Sequence, residues 1–146
     1  MKKMNVTTMA LLALPLMMVF VASNPSGVMV FDGTNVTMLS WFQMVPEAAF
    51  GWCAPAAGLL NYVIFGMAGI YAVLKKDWCL KGIFGIALAA VCIAVLPIVA
   101  RPEIKIVPSV LGAILLSVES GVAYAAMKKA EPAKEEKKNG KRLKKR

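Results

Sequence analysis

One acidic side chain stands in the middle of an apolar stretch, and its type and position make it the residue best suited to chemistry. Glu119 lies nine residues before Lys128, which is about 13 Å along a helix that rises 1.5 Å per residue. A carboxylate that deep in lipid costs on the order of 2–4 kcal/mol, so it has to be protonated, paired or wetted. Glu119 is therefore a candidate intramembrane proton or cation site.

Polar residues in the same apolar stretch and in a neighbouring one are the candidate partners of Glu119. The residues assigned to this site with it are Asn61, Ser120 and Tyr124. The alternative is a neutral Glu119 that is hydrogen-bonded across a seam between two helices. Both interpretations stay open, because a lone acid without a second ionisable group at its depth makes a weak proton relay.

The rest of the composition argues against an enzyme. The chain has no histidine, which removes the commonest acid–base catalyst and metal ligand. The three cysteines, Cys53, Cys79 and Cys92, form no CxxC pair, and we interpret them as small buried hydrophobic residues. No catalytic residue, metal site or cofactor is predicted.

Four apolar stretches have to position these residues. They cover residues 4–22, 47–74, 82–100 and 106–127, and each reaches or approaches the roughly 20 residues that cross a bilayer. The chain is 59% hydrophobic with a mean hydropathy of +0.67, above the usual range of soluble domains. We expect an all-α membrane protein, with residues 1–127 forming a four-helix transmembrane bundle.

The basic residues predict the orientation of this bundle. If the amino terminus is cytoplasmic, all of the 17 basic residues except Arg101 and Lys105 face the cytoplasm. We therefore expect a multi-pass protein of the cell membrane with both termini cytoplasmic. The alternative is that residues 1–23 are a cleaved signal peptide, because Lys2 and Lys3 precede an apolar run that ends in small residues. Cleavage would leave three spans.

Residues 128–146 have the composition of a disordered, basic cytoplasmic tail. Basic residues near an anionic leaflet gain about 1 kcal/mol each, so membrane lipids of the inner leaflet are the expected partner. Nucleic acid is disfavoured, because the charge belongs to a tail and not to a folded face. The lipid-binding candidates are Lys128, Lys129, Lys141, Arg142, Lys144, Lys145 and Arg146.

The loop over residues 23–46 is the longest segment between two apolar stretches. Asp32-Gly33 between β-prone runs predicts a small extracytoplasmic β-hairpin with a type I′ turn. Aromatic rings favour the membrane interface, and the candidates for this role are Trp41, Phe42, Trp52 and Trp78.

Small residues recur at helical spacing in the apolar stretches and predict close helix packing. The positions assigned to these seams are Gly58, Gly82, Gly85 and Gly112. The second span is expected to begin at Glu47, just after Pro46, because both residues favour a helix N-terminus.

The segments SWFQMVP at 40–46 and GWCAP at 51–55, with two tight turns and a basic tail, complete this layout. Over residues 4–127 it resembles small uncharacterised four-span membrane proteins of Gram-positive bacteria, and the resemblance implies no activity. The topology alone is also similar to claudin-type proteins. Their paired-cysteine loop signature is absent, since residues 23–46 contain no cysteine.

From these patterns we expect a non-enzymatic membrane accessory or scaffold protein. It would associate through its helix seams and outer loop with a membrane-protein partner or with a second copy of itself. The alternative is a small proton- or cation-coupled transporter that uses Glu119.

Overall fold

The computed structural model describes residues 5–100 and 102–143, with side chains described as far as Ala130. The chain is mostly helical with one small antiparallel sheet. The elements in chain order are α1 (Val6–Ser23), β1 (Val28–Asp32), β2 (Asn35–Leu39), α2 (Cys53–Leu74), α3 (Asp77–Ala100), β3 (Lys105–Pro108) and α4 (Val110–Leu143). All four helices are long and apolar enough to cross a membrane, as the sequence predicts.

The helices form a bundle in which each helix packs against two others. α2 contacts α1 and α3, and α4 contacts α3 and α1. Buried positions recur every three or four residues, and in α3 they include Ala87, Ala90 and Ala94. Small side chains at these positions let the helices approach closely, which is the usual way that helices associate in lipid.

One end of the bundle carries the sheet, and we call it the sheet end. The other end carries Lys75 and Lys76, between α2 and α3, and we call it the lysine end. α1 and α3 run toward the sheet end, whereas α2 and α4 run away from it. Neighbouring helices are therefore antiparallel.

The sheet has three strands in the order β2-β1-β3, not the two-stranded hairpin that the sequence predicts. Residues 106–108, assigned from sequence to the fourth span, belong instead to β3, and α4 begins at Val110. β3 pairs with β1 because its buried side chains, such as Ile106 opposite Val30, complete the same core face.

The turn of the hairpin also differs from the type I′ prediction. Asp32 pairs with Asn35, so the two central residues of the turn are Gly33 and Thr34. Gly33 has a φ of +57°, and Thr34 does not adopt a positive φ. A glycine at the first central position alone fits a type II′ turn, which spares the β-branched threonine a left-handed conformation.

Two helix boundaries differ from the sequence prediction. α2 begins at Cys53 and not at Glu47, because successive turns with hydrogen bonds from Ala48 to Val45 and from Gly51 to Ala48 precede it. α3 begins at Asp77, five residues before the predicted start. An acidic residue in the first turn complements the positive end of the helix dipole.

α4 continues as a helix to Leu143, through most of the segment that composition predicts to be disordered. Lysine, glutamate and alanine, which dominate this segment, are good helix formers. The helix has already been nucleated by the packed part of α4, so adding further turns avoids the cost of nucleation. Residues 144–146 lie outside the described residues.

Candidate functional site

Glu119 lies near the middle of α4 and faces the interior of the bundle. Only 1% of its surface is exposed, and neither carboxyl oxygen has a hydrogen-bond partner among the described residues. An unpaired carboxylate in such surroundings is costly, so the site favours either the neutral acid or a bound positive charge.

Asn61 on α2 is the second buried polar group with an unsatisfied atom. It is also 1% exposed. Its Nδ2 donates a hydrogen bond to the backbone carbonyl of Pro15 at 3.0 Å, which ties α2 to α1. Its Oδ1 has no partner among the described residues. The bond to Pro15 fixes the amide, so the free oxygen is held in one orientation.

The other two residues predicted at this site have different environments. Ser120, which follows Glu119 in the sequence, is buried. Tyr124 is 45% exposed, and its ring lies against Phe84 with the centroids 5.6 Å apart. The Nζ of Lys128 lies 5.1 Å from the centroid of the same ring. Tyr124 therefore belongs to the surface between α3 and α4, and it does not join the buried polar groups.

Lys75 and Thr8 form a polar contact that the sequence does not indicate. Lys75 ends α2 in a left-handed conformation with φ of 51°. Its Nζ donates a hydrogen bond to Oγ1 of the buried Thr8 at 2.7 Å and lies 5.0 Å from the centroid of the Tyr71 ring. The contact joins α1 to α2 and places one cationic group beside the interior at the lysine end.

Trp41 closes the interior at the sheet end. The prediction that Trp41 is an interfacial anchor is wrong, because its side chain has no exposed surface. Its indole packs against Gly27 and Gly112, and its Nε1 donates a hydrogen bond to Oγ of Ser109 at 3.4 Å. The ring is buried because the backbone N–H of Trp41 bonds to the carbonyl of Ala22, which carries the loop back over α1.

The other predicted interface aromatics differ in exposure. Phe42 is half-buried and stacks on Tyr62. Trp52 and Trp78 are exposed, at the starts of α2 and α3, and their interfacial role stays a prediction.

Three of the four predicted packing glycines lie in close contacts. A Cβ at Gly112 would lie 2.5 Å from Cζ2 of Trp41, and one at Gly58 would lie 2.8 Å from Cε1 of Phe42. At Gly82, a Cβ would collide with the side chain of Met67. The prediction for Gly85 is wrong, because it is exposed and has no atom within 4 Å of an added Cβ.

The sheet has an apolar side that faces away from the helix bundle. Side chains paired across antiparallel strands share a face, as do alternate residues of one strand. Val28 and Val30 are buried on the inner face. The opposite side, which we call the apolar sheet face, is formed by Met29, Phe31, Val36, Met38 and Val107, and the exposed Lys105 lies at its margin opposite Phe31. All five apolar residues are exposed or half-buried. The sequence does not predict this face, because it predicts neither β3 nor which side of the hairpin covers the core.

The basic residues at the end of α4 are only partly described. Lys128 and Lys129 are exposed. The side chains of Lys141 and Arg142 and the whole of Lys144, Lys145 and Arg146 lie outside the described part of the chain, so their lipid-binding role stays a prediction.

Within residues 5–100 and 102–143, no three His, Cys, Asp or Glu residues are grouped so as to hold a metal ion. No protein-family model, curated protein or solved structure matches the chain significantly. The functional assignment therefore rests on the geometry of the chain itself.

Proposed function

We propose that this chain is a non-enzymatic accessory protein of the cell membrane that docks another membrane protein through the apolar sheet face. The observation that carries this proposal is an apolar surface on the side of the sheet that does not cover the core. Met29, Val36 and Met38 are all exposed there. Contiguous exposed apolar residues outside a membrane commonly mark a protein interaction site.

The orientation in the membrane follows from the charges. With Lys75, Lys76 and Lys81 cytoplasmic, the lysine end lies inside and the sheet lies outside. The basic residues from Lys128 then reach the anionic inner leaflet and keep this end of α4 in the cytoplasm.

The first helix is retained in this proposal and not cleaved as part of a signal peptide. Its buried side includes Leu11 and Met18, and the carbonyl of Pro15 accepts the bond from Asn61. Loss of α1 would expose these contacts of α2 and α4.

The free edge of β2 supplies a second means of docking. β3 covers one edge of β1, whereas β2 has no strand on its other side among the described residues. Because the pair Asp32–Asn35 flanks a two-residue turn, the backbone groups of Val36 and Met38 point away from β1. The strand carries no charged residue or proline, the usual protections of an open edge. An apolar strand of the partner therefore fits beside β2.

Photo-crosslinking from native membranes tests the docking proposal. A benzophenone amino acid is placed at Met38, and a matched control carries it at Met9 on α1, which has the same 53% exposure. We expect one discrete adduct from Met38 that Met9 does not give. Mass spectrometry should identify an integral membrane protein with an extracytoplasmic segment. An adduct that contains only a second copy of this chain, or no adduct, contradicts the accessory role.

Two further variants distinguish docking on the apolar sheet face from strand addition at the free edge of β2. Met38→Pro removes an outward N–H from β2, whereas Met38→Thr keeps it and changes only the side chain. With the crosslinker moved to Val36, strand addition predicts that the proline variant loses the adduct and the threonine variant retains it. Equal loss in both variants would assign docking to the apolar side chains alone.

Proton- or cation-coupled transport through Glu119 is a second candidate function. It is favoured by one observation, the two carboxyl oxygens in the middle of the bundle that have no hydrogen-bond partner in the described part of the chain. Ionisable groups in such positions commonly mark ion pathways.

Reconstituted vesicles test the transport candidate. Glu119→Gln should abolish an ion-driven flux and leave expression and assembly intact, whereas Glu47→Gln, at an exposed position, should leave the flux unchanged. The absence of any proton or alkali-cation flux in the unmodified chain would reject transport.

A further inference from the structure

Three buried side-chain atoms without partners share one property. They are Oδ1 of Asn61 and the two carboxyl oxygens of Glu119, and they are the only such atoms in the described part of the chain. All three are oxygens that accept hydrogen bonds or bind cations when Glu119 is ionised. What the interior lacks is therefore a donor or a positive charge.

The register of the helices brings the two residues to similar depths. Asn61 bonds to Pro15 of α1, and a Cβ on Gly112 of α4 would lie 3.2 Å from Cε of Met18 of α1. Counting along the antiparallel helices from these contacts, Glu119 lies about one turn, roughly 6 Å, nearer to the lysine end than Asn61. Helical side chains lean toward the N-terminus of their helix, so the carboxyl group of Glu119 leans toward the depth of Asn61.

The other three helices present no charged group on their buried faces. The buried residues of α1 are uncharged, and in α3 the only titratable one is Cys79, close to the lysine end. On α2 the titratable buried residue is Cys53, at the sheet end. The cationic group that reaches the interior is Lys75, held by Thr8 about one turn beyond Glu119 toward the lysine end.

We infer that Asn61 Oδ1 and the Glu119 carboxyl group together hold one exchangeable positive charge, a proton or an alkali cation. The charge balance selects a single charge, because the one carboxylate neutralises a monovalent ion and the amide oxygen adds a neutral ligand. A divalent ion would leave a net charge buried in the bundle. Oxygen ligands without histidine or thiolate also suit a hard cation. If the charge is a proton, Glu119 carries it and donates a hydrogen bond to Asn61 Oδ1.

The surroundings of the proposed site differ toward the two ends of the bundle. Toward the sheet end, Trp41 packs on Gly112 with no exposed surface. Toward the lysine end, Thr8 and Lys75 continue the polar groups to the surface. Exchange of the bound charge is therefore expected through the lysine end.

This inference rests on the second candidate function, because it concerns the same residue, Glu119. Its test does not require transport, since binding is measured at equilibrium without any flux. The probe is dicyclohexylcarbodiimide, an apolar reagent that reacts with protonated carboxyl groups. Labelling of Glu119 in the purified full chain is followed by mass spectrometry over a range of pH. Sodium, potassium or N-methylglucamine is the only added cation.

The variant Asn61→Ala tests the second oxygen, and Ser117→Ala is its matched control. Ser117 is on the same helix as Glu119, but its hydroxyl is exposed and donates to the carbonyl of Ala113. If an alkali cation is bound, sodium or potassium should slow labelling where N-methylglucamine does not. The half-protecting concentration should then rise about tenfold in Asn61→Ala, because a ligand to a charged group is lost.

If the charge is a proton, labelling should fall with rising pH in all three salts. Asn61→Ala should then shift the midpoint of this pH profile, whereas Ser117→Ala should not. Labelling that is insensitive to both cations and pH would overturn the site. Identical profiles for Asn61→Ala and the unmodified chain would overturn the shared site and leave Glu119 alone. If the unmodified chain binds the charge but shows no ion flux in vesicles, transport is rejected and the binding site stands.

Discussion

At the scale of single residues, the contact between Trp41 and Gly112 is a close contact of the core that a sequence change can probe. A Cβ at Gly112 would lie 2.5 Å from Trp41 and 3.2 Å from Met18, so the ring or the helix would have to move. Overpacking of this kind costs about 1–3 kcal/mol. We expect Gly112→Ala to lower the free energy of unfolding by that amount in mixed micelles.

Gly121→Ala is the matched control for this change. It is on the same helix, and an added Cβ there has no atom within 4 Å. We expect its free energy of unfolding to rise by about 0.5–1 kcal/mol, because alanine favours a helix more than glycine does. Equal effects of the two substitutions would mean that helix propensity, and not the contact with Trp41, controls the result.

The hydrogen bond between Lys75 and Thr8 can be measured as a coupling energy. Lys75→Met and Thr8→Val each remove one partner with little change of size. We expect a double-mutant cycle to give a coupling of about 1 kcal/mol, typical of a net hydrogen bond. The same cycle with Lys76→Met in place of Lys75→Met should give a coupling close to zero. A zero value for the Lys75 cycle would show that the two groups do not interact.

Residues differ in how far the sequence predicts their role. Glu119 and Asn61 stand out because polar groups are rare in apolar stretches, and both are buried. The hydrogen bond across a helix seam that the packing alternative expects for Glu119 is not present among the described residues. The partner of Lys75 is Thr8, which lies on a helix far away in the sequence. Such a contact depends on which helices are neighbours, and hydropathy carries no information about that. The burial of Trp41 has the same origin, because the ring is covered by α1 and α4.

At the scale of elements, the sheet shows why short strands escape prediction. Residues 28–39 contain a glycine turn between β-prone runs, so the hairpin is visible in the sequence. β3 has four residues and merges with the apolar stretch that follows it. Only its pairing with β1 distinguishes it from the start of a helix. Helix boundaries at Cys53 and Val110 were mispredicted for the same reason, since hydropathy does not separate a buried turn or strand from a helical turn.

Substitutions on the two faces of β3 should differ in their effect on the free energy of unfolding. Ile106 is buried opposite Val30, whereas the adjacent Val107 lies on the apolar sheet face opposite Met29. Ile106→Ala leaves a cavity, and we expect it to lower the free energy of unfolding by about 2–4 kcal/mol. For Val107→Ala the expected loss is below about 1 kcal/mol. Similar losses at both positions would contradict the burial of only one face.

At the scale of the whole molecule, the sequence predicts four helices, and the structure has four of sufficient length and apolar character. This level is predictable because spanning a bilayer constrains length and hydropathy more strongly than any local contact does. The arrangement of the helices in the bundle is not predictable in this way. It depends on rows of small residues that several alternative packings would share.

The orientation of the molecule gives the last prediction. The positive-inside rule predicts that Lys75, Lys76 and Lys81 face the cytoplasm, so the turn at Thr34 should be outside and Lys76 inside. In a chain that carries Cys92→Ala, a membrane-impermeant maleimide added to intact cells should label Thr34→Cys and not Lys76→Cys. Both variants should react after permeabilisation, because both positions are exposed, whereas Cys53 and Cys79 are buried. The reverse pattern would invert the molecule and expose the apolar sheet face to the cytoplasm. Labelling of both positions in intact cells would contradict a membrane-spanning α2.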